Sequence, residues 1–341
     1  MSDIKDVARE AGVSIATVSR ALRGLPRVSQ ETRERVLAAA ARMEYVASPQ
    51  ASSLASGLTH TVGVVVPNVT RWFFGSVIHG AEELLRREGY DMLLYNITGD
   101  EEARRRLFST HLLGKRVDAV MVLALHPTPD EIVSLARTGG PAVLVGGTVP
   151  EWPSVCVDDV RTASLAVQHL LDLGHTRIAH IGGTPDPEHE GLEFSTPGDR
   201  LRGYRTTMQR AGLPVHPSWE VTGDFTAEGG RSGFRLLQDS PEAPTAIFAA
   251  SDEMAIGAVH AIRQSGLRVP EDISVVGIDN HELAEFFDLT TVAQPAEDLG
   301  HQGARILLDV LAGGDPAPAD VVLDTHLVRR GSTAAPAATP F

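Results

Sequence analysis

The residues with the most distinctive chemistry lie near the N-terminus, on a helix predicted to run from Ile15 to about Arg23. Val18 and Leu22 are four residues apart and therefore share the inward face of this helix. The outward face carries a different set: Ile15, Ala16, Ser19 and Arg20. Arginine can bond guanine bidentately, and small apolar side chains can contact the methyl group of thymine. The pattern predicts base readout in a DNA major groove, and its alternative is a small helical domain with a solvated arginine.

Two further helices are predicted to hold this surface in place. A first helix has apolar residues at helical spacing, namely Ile4, Val7, Ala8 and Ala11. Gly12 can adopt the left-handed conformation that ends a helix, and Ser14 can cap the helix that follows. A third helix after Ser29 has a predicted apolar face of Val36, Leu37, Ala40 and Met43. The sequence thus predicts a helix-turn-helix DNA-binding domain at residues 1–46.

The segment 47–60 has the signals of a short, weak helix. Ser48 can cap it, Pro49 suits the first helical position, and Gly57 can end it. A helix this short and this rich in serine is marginal in water, so we expect it to order only when docked. The alternative is a flexible linker.

Charge separates the chain into two parts. The 341 residues carry a net charge of −14, yet basic residues outnumber acidic ones among the first 60. A basic head on an acidic body suits a protein whose head alone meets phosphate. The single cysteine, Cys156, is interpreted as a buried strand residue, and there is no signal-like or membrane-spanning apolar run. We therefore expect a cytoplasmic protein without disulfides or a membrane partner.

Beyond residue 60, apolar strands alternate with helices. Strands are predicted at 61–67, 91–96, 118–123, 142–146, 178–182, 246–249 and 273–278. Near-continuous apolar strands separated by helices are typical of parallel sheets covered on both faces. The length of this region predicts two doubly wound α/β subdomains. A ligand would bind in the cleft between them, beyond the carboxyl ends of the strands.

This α/β region contains no recognisable catalytic or cofactor-binding motif. We find no GxxxxGK[ST] loop, no GxGxxG after a strand, and no CxxC, HExxH or GxSxG motif. Glu188, His189 and Glu190 have the residue types of a metal site, but a solvated loop is the simpler interpretation. Asp158 and Asp159 point to opposite faces of a strand, which favours ligand binding or helix capping over acid–base chemistry. We expect neither an enzyme nor a metal or other cofactor.

The segment Ile4–Leu22, with the sequence IKDVAREAGVSIATVSRAL, closely resembles the head of the LacI/GalR family of repressors. The similarity continues through Val28-Ser29 and Thr32-Arg33, and in blocks along most of the chain. The resemblance implies a repressor that binds double-stranded operator DNA. It implies that bases are read by Ile15, Ala16 and Arg20, and that phosphates or base edges are contacted by Ser14, Thr17 and Ser19.

The resemblance also implies that the segment 48–55 is a hinge helix that forms on DNA. Leu54 would insert into the minor groove at the operator centre, and Ala51 would let two hinge helices approach closely. Family members commonly have Pro-Asn in place of Ala47-Ser48, and often a basic residue in place of Ser52. These departures predict fewer contacts between the hinge and phosphate.

For the body, the resemblance implies a fold of the periplasmic-binding-protein type with a sugar or purine effector between the subdomains. Six positions match the family's ligand-contacting motifs: Phe73, Phe74, Arg200, Phe225, Ser251 and Asp279. Aromatic faces for sugar C–H groups, with a guanidinium and a carboxylate for hydroxyls, suit a neutral polyol. Two alternatives stay open, since Phe225 could be a core residue and Arg200 could form an ion pair with Asp279.

The run from Val64 to Phe74 is similar to regulators of sugar utilisation, including those that sense glucose disaccharides. We therefore expect a repressor of sugar-utilisation genes with a mono- or disaccharide effector. One alternative is a regulator that responds to a purine or another metabolite. Another is a sugar-binding receptor without a DNA role, which would need export and would leave the head unexplained.

The body is predicted to form the effector-binding and dimerisation domain, at residues 61–332. One subdomain is expected at 61–159 with 290–320, and the other at 160–289 with 321–332. The long 184–198 segment is expected near the cleft mouth, where it either sets effector size or decorates the surface. No leucine heptad follows residue 333, so the tetramer-forming tail of the founding family member is missing. This predicts a homodimer with a disordered tail at 333–341.

Overall fold

The computed structural model describes residues 3–22, 26–45, 57–97, 101–109, 113–125, 127–137, 139–149, 152–184, 196–314 and 320–337. The chain divides into two compact units, Met1–His60 and Thr61–Phe341, which we call the head and the body. The predicted hinge helix, with Ala51 and Leu54, lies outside the described residues. The 188–190 run and most of the 184–198 segment also lie outside them.

The described residues of the head form three helices in the predicted order: α1 (Ile4–Ala11), α2 (Ile15–Leu22) and α3 (Gln30–Arg42). Asp3 caps α1 by accepting hydrogen bonds from two backbone amides, and Gly12 ends it with a φ of 64°. Glycine tolerates this left-handed conformation because it has no Cβ. Val7, Val18 and Val36, one from each helix, are fully buried at the centre of the core. The predicted helix–glycine–helix arrangement is confirmed.

One residue of α3 lies on a different face from the predicted one. The sequence places Leu37 on the apolar face, but 47% of its surface is exposed. The buried face is formed instead by Val36, Ala39 and Ala40. An α-helix has about 3.6 residues per turn, so Leu37 is rotated about 100° from Val36 and points away from the other two helices.

The described residues of the body form two six-stranded sheets. The strands are β1 (Thr61–Val66), β2 (Asp91–Asn96), β3 (Ala119–Leu123), β4 (Ala142–Val145), β5 (Ser154–Val157), β6 (Ile178–Gly182), β7 (Glu220–Thr222), β8 (Ala246–Ala249), β9 (Ser274–Asp279), β10 (Thr290–Ala293), β11 (Asp320–Leu323) and β12 (His326–Val328). The first sheet has the spatial order β11-β5-β4-β3-β1-β2, and the second has the order β12-β10-β9-β8-β6-β7. The pairs are parallel except for the antiparallel pair of β10 and β12.

Helices cover the sheets, as the alternating sequence pattern predicts. They are α4 (Trp72–Arg87), α5 (Glu101–Ser109), α6 (Pro129–Ala136), α7 (Asp159–Asp172), α8 (Thr196–Arg210), α9 (Ala227–Gln238), α10 (Asp252–Gln264) and α11 (Ala296–Leu311). The central strands β3 and β9 are buried along their whole length, because helices pack on both faces of each sheet. The predicted class, two doubly wound α/β subdomains, is confirmed.

Two strands belong to a different subdomain from the predicted one. Strand β10 pairs with β9 in the second sheet, although residues 290–320 are predicted in the first subdomain. Strand β11 pairs with β5 in the first sheet, although residues from 321 onward are predicted in the second. The chain therefore crosses at 294–295 and 324–325, because α11 between these strands buries Leu299 and Leu307 in the core of the first subdomain.

The C-terminal segment is hydrogen bonded as far as Ala334, so the predicted start of disorder at residue 333 is wrong. The Thr333 hydroxyl lies 2.9 Å from Nε2 of the buried His169. The Ala334 amide donates to Ser274 Oγ at 3.0 Å, and its carbonyl lies 2.8 Å from Nε2 of His175. Buried polar groups of the second subdomain need hydrogen-bonding partners, and this segment supplies them.

Candidate nucleic-acid interface and ligand cavity

The start of α2 is fixed by two side chains that are predicted to contact phosphates or base edges. The Thr17 amide donates to Ser14 Oγ at 3.1 Å, and the two hydroxyl oxygens lie 2.9 Å apart. Ser14 therefore caps the helix, as its residue type predicts. Both hydroxyls sit at the N-terminus of α2, where backbone amides and the helix dipole favour an anion such as phosphate.

Helix α2 separates its residues into a buried and an exposed face. Val18 is fully buried and Ala21 nearly so, and Leu22 packs against the same core. Ile15, Ala16 and Arg20 are exposed, and Thr17 and Ser19 are partly exposed. The outward surface therefore combines a guanidinium, two apolar groups and hydroxyls on about two turns of helix, a size that fits a major groove.

A cavity of about 460 Å³ lies between the two subdomains of the body. Its walls are built at the carboxyl ends of strands from both sheets: Ala124 follows β3, Asp224 follows β7 and Asp279 ends β9. All six predicted effector residues line this one cavity. Ligands of open α/β sheets bind at such an edge, so the cavity is the candidate effector site.

Three phenylalanines supply flat apolar surface. Phe73 and Phe74 lie in the first turn of α4, with their rings edge-to-face at 5.5 Å. Phe225 follows β7 in a left-handed conformation, with a φ of 55°, and packs partly against the core of the second subdomain. A Cβ on Gly183 would lie 2.4 Å from its ring, so Gly183 leaves the room that the ring occupies. Phe225 is thus both a core and a cavity residue.

Arg200 forms its ion pair with Asp159, and not with Asp279 as the sequence left open. Its Nε donates to Asp159 Oδ1 at 2.7 Å, and its Nη1 donates to the Ala250 carbonyl. The guanidinium carbon lies 6.0 Å from the centre of the Phe225 ring, within reach of a cation–π interaction. The neighbouring Asp158 caps α7 by accepting from the Arg161 amide at 2.9 Å, which is one of the two roles that the sequence left open for the Asp158–Asp159 pair.

Asp279 is buried at the end of β9, with an unusual φ of 131°. Its carboxylate accepts from Gln294 Nε2 and from the Asp252 amide. Burial raises the pKa of Asp279 to about 6, and the positive charge of Arg200 partly opposes that rise. Behind it, burial and the charge of Asp279 raise the pKa of Asp252 well above its usual value. Asp279 is therefore a buried acceptor that is charged at neutral pH and takes up a proton near its pKa of about 6.

Ser251 has a structural task in addition to its place in the cavity wall. Its Oγ accepts from the Met254 amide at 3.3 Å and caps α10. The residue is only 5% exposed. Its hydroxyl hydrogen is directed independently of this cap, so it can still be donated to a ligand.

Sequence reasoning missed several polar residues of the cavity, among them Asn68, Arg71, Glu253 and Gln294. Asn68 follows β1 closely, and position after a strand could have identified it. Gln294 lies in a crossing between the subdomains, where no local pattern marks it. Arg71 and Glu253 form an ion pair of 3.0 Å between the subdomains, which no spacing rule encodes.

The described residues give little support for a reactive thiol, a metal site or a membrane-spanning helix. Cys156 lies half-buried in β5, where desolvation raises its pKa to about 11, so the thiolate is disfavoured. No group of three His, Cys, Asp or Glu side chains in the described ranges has the arrangement of a metal site. None of the described helices has the length and apolarity to cross a membrane.

Comparison with known proteins gives matches over both units. Residues 3–48 match the model of the bacterial regulatory proteins, lacI family, and residues 167–333 match a periplasmic binding protein-like domain. The chain is 36% identical to the HTH-type transcriptional repressor CytR of Escherichia coli (strain K12) over 336 residues, which cover 97% of this chain and 96% of CytR.

Two solved structures cover nearly the whole chain. The lac repressor dimer bound to operator and the anti-inducer ONPF gives a TM-score of 0.85 at 30% identity, covering 98% of this chain and 99% of that chain. A complex of the transcriptional regulator CelR with cellobiose gives a TM-score of 0.72 at 33% identity, with coverages of 97% and 100%.

Fold and comparisons together define the class of protein: a DNA-binding transcription regulator with an effector-binding domain. Within this class, the chain belongs to the lacI family of bacterial regulatory proteins. The alternative of a sugar-binding receptor without a DNA role is thereby set aside, since it does not account for residues 3–48.

Proposed function

We propose that this regulator is a cytoplasmic, homodimeric repressor of sugar-utilisation genes, controlled by a neutral mono- or disaccharide bound in the cavity of the body. One observation carries the proposal of an effector: the six residues predicted to bind it come from five separate chain segments and line one cavity. The cavity is assigned to binding and not to catalysis.

The DNA half rests on the exposed face of α2. Ile15, Ala16 and Arg20 read base edges, while Ser14, Thr17 and Ser19 contact phosphates or base edges. In the hinge, Ala51 and Leu54 act at the operator centre. The similarity to the lac repressor dimer on its operator supports a dimer that reads two half-sites.

The charges around the cavity favour an uncharged effector. Two guanidinium groups face four carboxylates, and these residues are Arg71, Arg200, Asp159, Asp224, Glu253 and Asp279. Each arginine already has a carboxylate partner, so an anionic ligand would meet excess negative charge. Hydroxyl groups, in contrast, can donate to the carboxylates and accept from the guanidinium groups.

Size and surface agree with a sugar. The volume of about 460 Å³ falls within the range of about 300–1,000 Å³ that is typical of small-molecule pockets. The three phenylalanine rings offer apolar faces to the C–H groups of a pyranose. The likeness to a regulator solved with cellobiose supports the same ligand class.

The test combines a ligand screen with DNA binding on the purified full chain. Mono- and disaccharides, and then purines, are screened by thermal shift, because a ligand that binds only the folded state raises the melting temperature. Positive compounds are then added to gel-shift assays with genomic fragments. We expect one sugar both to stabilise the protein and to change its affinity for at least one fragment, by release or by tighter binding.

The matched variants for this test are Asp279→Asn and Asp272→Asn. The first replaces the buried cavity carboxylate by a neutral amide, which removes its negative charge and one acceptor oxygen, and it should abolish the response to sugar while DNA binding stays intact. The second neutralises a partly exposed carboxylate that is paired with Arg268 outside the cavity, and this variant should respond normally. Stabilisation by purines alone would contradict the sugar effector. Failure to prefer any duplex over random DNA at near-physiological salt would contradict the repressor.

A further inference from the structure

Glu253 lies in the first turn of α10, in the second subdomain, but both of its carboxylate oxygens bind groups of the first subdomain. Oε2 lies 3.0 Å from Nη1 of Arg71, and Oε1 accepts from the Trp72 amide at 3.2 Å. The side chains of Arg71 and Glu253 are 32% and 20% exposed, so solvent only partly screens the pair. One carboxylate therefore bridges the two subdomains.

The same carboxylate completes a helix of the other subdomain. Helix α4 begins at Trp72, and the side chain of the preceding Arg71 makes no cap hydrogen bond. The first amides of a helix have no partner inside the helix, and its N-terminus carries partial positive charge. Glu253 supplies the acceptor and the negative charge that this terminus needs. Its position in α10 places it at the positive end of that helix as well.

A ring contact lies beside this bridge. The Trp72 ring lies 5.0 Å from the ring of His281, tilted by 35°, and His281 follows β9 in the second subdomain. The His281 amide is held by Asp252 Oδ2 at 2.8 Å. Two consecutive residues of the first subdomain thus contact the start of α10 and the loop after β9 in the second.

The bridge is placed where it would influence the cavity wall. Phe73 and Phe74 follow Trp72 directly and line the cavity. In the part of the body that the structure describes, the chain passes between the subdomains near residue 158, at 294–295 and at 324–325. Subdomains joined by so few chain segments can move about a hinge. A non-covalent contact between them, such as the one made by Glu253, can therefore set how far the cleft is closed.

We infer that Glu253 is a positioning residue, a latch that holds the two subdomains closed over the cavity and keeps the aromatic wall in place. The effect of Glu253 on sugar affinity rests on the proposed function, whereas its effect on closure of the cleft does not. Only closed molecules present a complete cavity. The apparent dissociation constant for an effector therefore rises as the closed fraction falls.

The first measurement needs no ligand. Spin labels at two exposed residues, Asp130 in the first turn of α6 and Thr222 at the end of β7, report the distance between the subdomains in a Cys156→Ser background. Labelled protein is diluted with unlabelled protein, so that the measured pairs lie within one chain. Glu253→Gln is expected to lengthen and broaden the distance distribution. Arg71→Gln, which breaks the ion pair from its more exposed side, should do the same.

The chain offers a closely matched control. Asp272 also accepts from one backbone amide and one guanidinium, both belonging to Arg268, at 2.8 and 2.9 Å. Its side chain is 22% exposed, close to the value for Glu253, but the pair lies within one subdomain. Asp272→Asn should leave the distance across the cleft unchanged.

The second measurement is calorimetry with the sugar identified by the screen. Glu253→Gln is expected to raise the dissociation constant about tenfold if the closed fraction falls about tenfold. Weaker sugar binding at an unchanged distance would make Glu253 a ligand contact and overturn the latch. Unchanged distances in both variants would also overturn it. If no sugar binds the parent protein, the effector proposal fails while the distance measurement still decides the latch.

Discussion

The Arg200 guanidinium is held by two protein partners, the Asp159 carboxylate and the Ala250 carbonyl. Holding a long side chain in this way reduces the conformational entropy that it would lose on binding a ligand. Asp279 is fixed in the same manner by Gln294 and the Asp252 amide. The chemistry of the cavity therefore depends on neighbours as much as on the residues that face the ligand.

Arg20 gives the sharpest prediction for DNA recognition. Arg20→Ala should relax base preference at one position of each half-site, since a bidentate arginine–guanine pair contributes about 1–3 kcal/mol of discrimination. A binding-site selection with the variant measures this. Arg9→Ala, which removes a cation paired with Asp6 on α1, should return the parent motif. An unchanged motif for Arg20→Ala would contradict its role as a base reader.

Asp279 predicts a pH dependence of effector binding. Because burial raises its pKa to about 6, the carboxylate is charged at neutral pH and becomes protonated below that value. Its protonation removes a charged acceptor for sugar hydroxyls. Affinity should be constant above about pH 7 and fall by up to about tenfold per pH unit below the pKa.

Calorimetry across this pH range provides the measurement. The sign follows from the proton competing with the ligand, so acid weakens binding. Asp272→Asn should keep the parent profile. A parent affinity that stays constant through pH 6 would contradict the assignment of Asp279 as a charged ligand acceptor.

At the scale of elements, glycines let helices approach closely enough to place the cavity residues. A Cβ at Gly257 in α10 would lie 1.9 Å from the Ala227 carbonyl oxygen of α9. A Cβ at Gly230 in α9 would lie 2.0 Å from the Met254 carbonyl oxygen of α10. Phe225 lies just before α9 and Ser251 just before α10, so the packing of the two helices fixes the positions of both residues.

Gly257→Ala tests this packing. The added methyl group would force α9 and α10 apart, and overpacking of this kind costs about 1–3 kcal/mol of the free energy of unfolding. Denaturation of the variant should show that loss. Gly75→Ala in α4 is the control, because its Cβ would meet no atom within 4 Å. It should be neutral, or stabilising by up to about 1 kcal/mol. Equal stabilities for the two variants would contradict the close approach.

At the scale of the whole molecule, the body exposes two large apolar side chains to solvent, which is unfavourable in a monomer. Phe286 is 82% exposed and Leu283 is 41% exposed, both in the loop after β9. Exposed apolar surface of this kind is typical of association sites. We expect a second copy of the chain to cover it in the proposed homodimer.

Sedimentation of the purified chain should therefore give a dimer, and Phe286→Glu should weaken it. Leu236→Glu, at an exposed apolar residue of α9, should leave the dimer intact. A tetramer for the parent protein would contradict the prediction drawn from the missing heptads. A dimer unaffected by Phe286→Glu would move the interface elsewhere on the body.

The sequence alone determined what depends on neighbours along the chain. Helical spacing separated the two faces of α2, residue type identified Ser14 as a cap, and apolar runs located the parallel strands. Resemblance then selected six residues that the fold brings to one cavity, although their ligand role is still a prediction.

Tertiary structure decided what depends on residues far apart. It paired Arg200 with Asp159, turned Leu37 outward and assigned β10 and β11 to their sheets. Arg71 and Glu253 are separated by 182 positions, and only the folding of two subdomains against each other makes them partners. Local periodicity reports which side of an element is buried, but it does not contain the identity of the group that buries it.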